Sequence, residues 1–190
     1  MTDVVVDASV AVKWVLDEEP EWLYRNARQL LQDLTDNDVT VVAPPHMGTE
    51  LTDAIYHKVL GGEITAHEGE RALEAFLRLN VRLIDVQDSV YRDSLTLALD
   101  HLTARRPFEA AYDPFYVVLA QTLGTQIWTN DHVLIQSLNP LPAFVKWIGS
   151  YPDGDPAPLL GRRPKRLPTK GPHAYIWHDG RWYRALNKRW

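Results

Sequence analysis

Residues 4–14, with the sequence VVVDASVAVKW, determine the fold that we expect for this chain. The three valines at 4–6 form a short β-branched run, which favours a strand buried on both faces. The run ends at Asp7, and residues 8–16 have the apolar spacing of a helix. Asp7 therefore lies where a buried strand turns into a helix. In open sheets of parallel strands, ligands bind beyond the carboxyl ends of the strands.

The sequence up to about residue 149 repeats this alternation of strand and helix. Apolar runs predict further strands at 39–43, 81–86, 126–128 and 143–147. Helical spacing predicts helices over 22–34, 47–59, 64–79, 88–101 and 114–123, and a helical turn from Asp131. This order predicts an α/β fold, a three-layer sandwich around a central, mostly parallel sheet.

Length and composition indicate one main domain in a reducing compartment. The chain has 190 residues, of which 45% are hydrophobic, enough for one well-buried core. It has no cysteine, so disulfides and thiolate metal sites are excluded, and we expect a cytoplasmic location. The beginning of the chain is short and carries acids, unlike a signal peptide. No stretch approaches about 18 apolar residues, so no membrane span is expected.

The C-terminal part has a different character, and we divide the chain into a domain at 1–149 and an extension at 150–190. Residues 150–172 contain six prolines and three glycines, as in a linker or extended arm. Residues 174–186 flank Asp179-Gly180 with aromatic and β-branched residues, which predicts a β-hairpin. Residues 161–190 hold nine basic residues and one acid. Such a basic extension serves either solubility or binding of RNA or protein.

Four acids lie at predicted junctions of strand and helix. Asp7, Asp113 and Asp131 stand where helices begin, and Glu50 lies one turn into the helix after Pro44-Pro45. Asp113 and Asp131 alone are equally well explained as helix N-caps. Asp7 alone, as an acid after a strand, is weak evidence, and a solvated Glu50 needs no explanation. Together they would meet at one edge of a parallel sheet, where carboxylates repel one another unless a cation is bound.

The ligand types favour magnesium at such a site. Mg²⁺ takes oxygen ligands and keeps several waters, which suits a group of acids without histidine or cysteine. The seven histidines show no HExxH or HxxxH spacing, which makes a zinc site unlikely on motif grounds. The phosphate-binding patterns GxxxxGK[ST] and GxGxxG are absent as well.

These segments resemble the motifs of PIN-domain nucleases, especially VapC-type toxins of toxin–antitoxin pairs. Residues 5–14 resemble the opening of the family. The Pro-Pro run ending at Glu50, the segment 112–116 with Leu119-Ala120 after it, and 129–134 follow in the family's order. The likeness covers about residues 2–148. Two departures are Pro114, where a small residue is usual, and the extension after about Ser150.

The resemblance implies a Rossmann-like PIN fold and an endoribonuclease, the toxin of a type II toxin–antitoxin system, that depends on Mg²⁺ or Mn²⁺. It implies homodimers, an RNA substrate and an antitoxin partner. Its catalytic and metal-binding residues would be Asp7, Glu50, Asp113 and Asp131. The hydroxyls of Ser9 and Thr129 would support that centre.

Basic residues near the predicted edge are candidates for binding RNA phosphates. They are Lys13, Arg105 and Arg106. Each alone is also explained as an ordinary surface charge. In the extension, aromatic and basic residues alternate, which fits either stacking on single-stranded RNA or packing on the body or a second subunit.

Two other functions are compatible with parts of the pattern. One is a non-catalytic PIN-like module that binds RNA or protein, although the complete set of four acids is unnecessary for that role. The other is a magnesium-dependent phosphotransfer domain with an aspartate acceptor. Such a domain would have adjacent acids or Asp-x-Asp after its first strand, whereas this chain has Asp7-Ala8-Ser9.

Overall fold

The computed structural model describes residues 3–18, 20–101, 108, 112–138, 140–156 and 159, and the backbone of 175–178 and 181–184. The chain divides into two compact units, Met1–Leu160 and Gly161–Trp190. The first unit is an α/β structure around a five-stranded sheet that is parallel throughout and flanked by helices. This confirms the fold class predicted from the alternation of strands and helices.

The strand that the first valines predicted lies at the centre of the sheet. The order is β3-β2-β1-β4-β5, and β1 pairs with β2 on one side and β4 on the other. Val5 and Val6 are completely buried, as expected for a central strand covered on both faces. The strands are β1 (Asp3–Val6), β2 (Thr40–Ala43), β3 (Val81–Leu83), β4 (Ile127–Thr129) and β5 (Val145–Trp147).

Seven α-helices are described between and after these strands. They are α1 (Ala8–Val15), α2 (Glu21–Asp36), α3 (Met47–Leu60), α4 (Ala66–Leu77), α5 (Asp88–Asp100), α6 (Asp113–Leu123) and α7 (His132–Ser137), and a 3₁₀ turn covers Ile148–Ser150. Helix α6 ends at Gly124, whose φ of 64° is the left-handed conformation that glycine adopts without strain. The helices predicted from apolar spacing are therefore confirmed.

Two strands are two or three residues shorter than the sequence predicted. β3 stops at Leu83 rather than at residue 86. The Ile84 N–H still donates to the Ala43 carbonyl at 2.8 Å, but β2 ends there because Pro44-Pro45 follows. β5 begins at Val145 rather than at residue 143, because the Val145 N–H closes a turn onto the Pro142 carbonyl at 3.0 Å.

Parallel pairing brings the carboxyl ends of β1, β2 and β4 to the same edge of the sheet. The Asp7 N–H extends the pairing by donating to the Trp128 carbonyl at 3.0 Å. Helices α1, α3 and α7 begin within a few residues of these three strand ends. This edge is therefore where the N-termini of several helices meet.

The second unit contains the predicted hairpin. Strands β6 (Tyr175–His178) and β7 (Arg181–Arg184) pair in antiparallel register, with Tyr175 opposite Arg184 and His178 opposite Arg181. The Asp179-Gly180 turn lies outside the described residues. Among the helices that the structure describes, none is both long and apolar enough to cross a bilayer.

Candidate metal centre

Asp7 lies at the centre of the candidate site and is almost completely buried. It is the N-cap of α1, and its Oδ1 accepts the Ser9 N–H at 3.2 Å. Its Oδ2 accepts the Ser9 hydroxyl at 2.8 Å and the Thr129 hydroxyl at 2.5 Å. A buried carboxylate needs such donors, because burial without them is costly. The hydroxyls of Ser9 and Thr129, which the resemblance implied would support the acidic centre, both donate to Asp7, and their role in a metal site stays a prediction.

Thr129, at the end of β4, connects Asp7 to Asp131. Its hydroxyl donates to Asp7 and also accepts the Asp131 N–H at 2.8 Å. The Ser9 hydroxyl makes a similar connection, since it donates to Asp7 and accepts the Asn130 N–H at 2.9 Å. The two hydroxyls thus join the start of α1 to the segment between β4 and α7. Two acids that are 124 positions apart in the sequence belong to one hydrogen-bond network.

Asp131 is the N-cap of α7, as one of its two sequence-based interpretations predicted. Its Oδ1 accepts the N–H groups of Val133 at 2.6 Å and Leu134 at 3.0 Å. Among the described residues, the other oxygen, Oδ2, accepts no hydrogen bond. One carboxylate can therefore cap a helix and still offer an oxygen to a ligand, so the two interpretations do not exclude each other.

Glu50 lies in the first turn of α3 and is held by a residue that the sequence analysis did not single out. The buried hydroxyl of Tyr116, on α6, donates to Glu50 Oε2. Tyr116 thus joins α6 to α3 at the candidate site. The sequence held one signal for it, because Tyr116 is one helical turn after Asp113 and faces the same way.

Asp113 is the first residue of α6, and the N-cap position is occupied by Tyr112. The N-cap interpretation of Asp113 is therefore wrong, and Pro114 follows it within the first turn, where proline is tolerated. The charge of Asp113 acts on Glu50, as do those of Asp7 and Asp131. The three aspartates predicted from the sequence are therefore all within electrostatic range of Glu50.

Burial raises the pKa of three of these carboxyls, and repulsion by neighbouring acids adds to it for Asp7 and Glu50. For Asp7, burial is the largest cause, and the charge of Asp131 adds to it against the hydrogen bonds from Thr129 and Ser9. Burial also raises the pKa of Asp131. The pKa of Glu50 is raised to about 8, first by burial and then by the three aspartates, against the hydrogen bond from Tyr116. A nearby cation would favour the charged form of all of them.

The donor set fits a hard divalent ion that retains water. Among the described residues, no three Asp, Glu, His or Cys side chains lie close enough together to be direct ligands of one ion. Mg²⁺ is usually bound by one or two carboxylates and several waters, which does not require such a triad. A set of oxygen donors with raised pKa values matches that chemistry, and thiolates are absent from the sequence.

His46 and a group of aromatic rings lie beside the acids and were not predicted. His46 Nε2 is 3.8 Å from Glu50 Oε2. His46 and Glu50 would form an ion pair only if His46 were protonated, but burial lowers the pKa of His46. We therefore treat the contact as one between a neutral ring and a carboxyl group. The ring of His46 also packs edge-on against Phe115 and Tyr116.

Of the three basic residues proposed to bind RNA phosphates, the structure describes only Lys13. Lys13 is 5% exposed, and its ammonium pairs with Glu18. In this structure its charge is therefore satisfied within the protein, and a contact with RNA stays a prediction. Arg105 and Arg106 lie outside the described residues.

The sequence matches no protein-family model and no curated protein. The chain is similar to one in the crystal structure of VapBC2 from Rickettsia felis bound to a DNA fragment from their promoter. That likeness has a TM-score of 0.53 and 13% identity, and covers 77% of this chain and 98% of that chain.

Two further solved structures are similar to the chain. One is VapC20 from Mycobacterium tuberculosis, a Sarcin-Ricin loop cleaving toxin, with a TM-score of 0.48, 13% identity and coverage of 67% of this chain and 87% of that chain. The other is PAE2754 from Pyrobaculum aerophilum, with a TM-score of 0.48, 16% identity and coverage of 77% and 84%. The parallel sheet and the likeness to the Rickettsia felis structure show that this chain has the PIN-domain fold of VapC-type proteins.

Proposed function

We propose that this chain is a metal-dependent endoribonuclease, the toxin of a type II toxin–antitoxin system, and that it acts in the cytoplasm. The observation that supports this most is the electrostatic coupling of four carboxyls from four separate segments at one edge of the sheet. Burial first, and then the charges of the three aspartates, raise the pKa of Glu50 to about 8, which disfavours its ionised form unless a cation is nearby. A fold that needs only stability has no use for such a cluster.

In this proposal, the aspartates hold the metal, and Glu50 orients and deprotonates the attacking water. Asp7, Asp113 and Asp131 would bind Mg²⁺ or Mn²⁺, directly or through water. When bound, the ion supplies positive charge for the phosphodiester oxygens and promotes deprotonation of water. Ser9 and Thr129 keep the Asp7 carboxylate in place through their hydroxyls. Glu50, oriented by Tyr116, accepts a hydrogen bond from the attacking water and takes its proton.

The partners in this proposal follow from the PIN-domain resemblance. We expect an RNA substrate, a homodimer and an antitoxin protein. The similar Rickettsia felis structure is that of VapBC2 bound to a DNA fragment from their promoter, and an equivalent assembly of this chain is part of the proposal.

The proposal is tested by RNA cleavage with purified full-length protein in Mg²⁺ or Mn²⁺. We expect Asp7→Asn and Asp113→Asn to lower the cleavage rate at least 100-fold, because each removes one negative charge from the ion's surroundings. Asp93→Asn is the matched control, since Asp93 is an exposed aspartate of α5. It should cleave at the wild-type rate.

Three outcomes would contradict the proposal. Equal cleavage by wild type and both site variants would indicate a contaminating nuclease. Cleavage that persists in EDTA would exclude metal dependence. Binding of RNA without cleavage under any divalent ion would favour the alternative, a non-catalytic PIN-like module.

A further inference from the structure

A row of aromatic rings borders the acidic centre. Its members in order are Tyr91, Phe115, His46 and Tyr112. The Tyr91 and Phe115 centroids are 5.1 Å apart, those of Phe115 and His46 5.4 Å, and those of His46 and Tyr112 6.0 Å. The first two pairs meet edge to face and the third is tilted by 54°. The rings thus form one continuous packed group rather than separate side chains.

The row is half-buried in the middle and open at its ends. Tyr91 is 53% exposed and Tyr112 is 50% exposed, whereas Phe115 and His46 are partly covered. A tyrosine whose surface is half exposed leaves part of its apolar surface without a protein contact. The ring of Tyr112 is restrained at the same time, because His46 behind it is fixed by Phe115 and Tyr116. An exposed ring held from behind is preorganised for stacking.

Tyr112 is the end of the row that borders the acids. It directly precedes Asp113, the first residue of α6. The pKa of its hydroxyl is raised first by burial and then by the charges of Asp113, Glu50, Asp53 and Asp131. Three of the four acids of the candidate site, Glu50, Asp113 and Asp131, therefore lie within electrostatic range of this ring. A group bound on Tyr112 would be next to whatever is bound by the acids.

The chemistry of this surface favours a nucleobase. Carboxylates repel a phosphate that has no cation beside it, but they do not repel a neutral base. Every nucleobase has a flat π-face, and stacking on an aromatic side chain is a common way to hold it. In a duplex both faces of a base are covered by its neighbours, so only an unpaired base can stack on a protein ring.

We propose that Tyr112, backed by His46, forms a subsite on which an unpaired nucleobase of the RNA next to the cleaved bond stacks. This inference rests on the ribonuclease function proposed above. Stacking there would position the neighbouring phosphodiester over the acids. The subsite selects substrates by the absence of pairing at that nucleotide and is tolerant of base identity.

The test compares Tyr112→Ala, Tyr112→Phe and a control on an unstructured RNA oligonucleotide of mixed sequence. The control is Tyr56→Ala, because Tyr56 is a tyrosine of similar exposure, 57%, on the later part of α3. Loss of one base–aromatic stack should raise KM by roughly ten-fold or more in Tyr112→Ala. Tyr112→Phe retains the ring and should keep KM within about two-fold of wild type, as should Tyr56→Ala.

A second arm removes the base instead of the ring. Abasic nucleotides are placed one at a time on each side of the mapped cleavage site. At one position, the missing base should raise KM for wild type and leave KM for Tyr112→Ala unchanged, because the stack is already lost. If Tyr112→Ala instead raised KM through a general loss of structure, the effects of the substitution and of the missing base on KM would simply add. The absence of such additivity therefore identifies stacking. Annealing a complementary strand should abolish the difference between wild type and Tyr112→Ala.

Several results would overturn the inference. If wild type cleaves RNA and Tyr112→Ala has an unchanged KM, no base stacks there. The same holds if the abasic penalty is equal in both proteins at every position. If Tyr112→Ala changes only the oligomeric state measured by sedimentation, the ring serves a protein interface. If wild type cleaves no RNA, the ribonuclease proposal itself fails, which is recognisable without any variant.

Discussion

Thr129 has a larger effect on the site than its size implies, because one hydroxyl serves two acids. It is completely buried, donates to Asp7 and accepts the Asp131 N–H. Neither contact can be replaced by water without opening the core. The network therefore depends on a side chain that is not itself a proposed ligand.

We expect Thr129→Val to lower the free energy of unfolding by about 1–3 kcal/mol, the cost of leaving buried polar groups unpaired. Valine has nearly the same shape, so the change removes the hydroxyl and little else. Thr129→Ser is the matched control, because it retains the hydroxyl, and it should lose less. Urea unfolding of the three proteins measures the difference. Equal stability of wild type and Thr129→Val would show that the hydroxyl contributes nothing to the fold.

The loop between α1 and α2 is joined to α1 and α3 by a partly buried ion-pair network. Glu18, in the loop after α1, pairs with Lys13 of α1 and with Lys58 of α3, the latter at 2.8 Å. Burial by itself raises the pKa of Glu18, but the two lysines lower it below its ordinary value. This network also explains why Lys13, which looked like a surface residue in the sequence, is buried.

We expect Glu18→Gln to lower the free energy of unfolding by about 3 kcal/mol, because it leaves the buried Lys13 ammonium without a counter-charge. Glu21→Gln is the control, since Glu21 pairs with Arg25 on the exposed surface of α2. Exposed pairs of this kind contribute less than about 0.5 kcal/mol. Chemical unfolding at neutral pH compares the two variants. A similar small effect of both would mean that the Lys13 charge finds another partner.

The stability of the whole Met1–Leu160 unit should depend on pH through Glu50. Its pKa is raised to about 8 in the folded state, from an ordinary value of 4.5. The folded chain therefore binds more protons than the unfolded chain between these two values. The contribution of Glu50 to stability is most favourable below about pH 4.5, decreases as the pH rises, and levels off above about pH 8.

Glu50→Gln should remove this pH dependence, because glutamine stays neutral. We expect the variant to gain stability relative to wild type as the pH rises from about 5 to 8, without added divalent ions. Thermal or urea unfolding over this pH range measures the difference. A constant difference between the two proteins would show that the Glu50 pKa is not raised in the folded chain.

The sequence was sufficient to predict the order of elements but not the contacts between distant ones. Valine runs and helical spacing are local patterns, so β1 and α1 were predicted close to their observed bounds. The hydrogen bond from Tyr116 to Glu50 spans 66 positions and follows from tertiary packing alone. The ion pair of Lys13 with Glu18 spans only five positions, but it could not be predicted because Glu18 lies in an irregular loop after α1.

The four acids could be grouped in advance because parallel strands place their carboxyl ends together. Their separate roles could not, since an aspartate that caps a helix and one that only opens it look alike in sequence. The structure distinguishes Asp131, which caps α7, from Asp113, which is preceded by Tyr112 at the N-cap position. That they bind a metal stays a prediction.

The pairing of β1 with β4 has a consequence for the chain as it is being synthesised. β1 is made first, but Val5 pairs with Ile127 and Val6 with Trp128, which leave the ribosome more than 120 residues later. Until then Asp7 lacks the Thr129 hydroxyl and has no Asp131 beside it. A nascent chain that stops before β4 is therefore chemically incomplete, however well its earlier helices have formed. The order of translation itself delays the assembly of the acidic edge until the first unit is nearly finished.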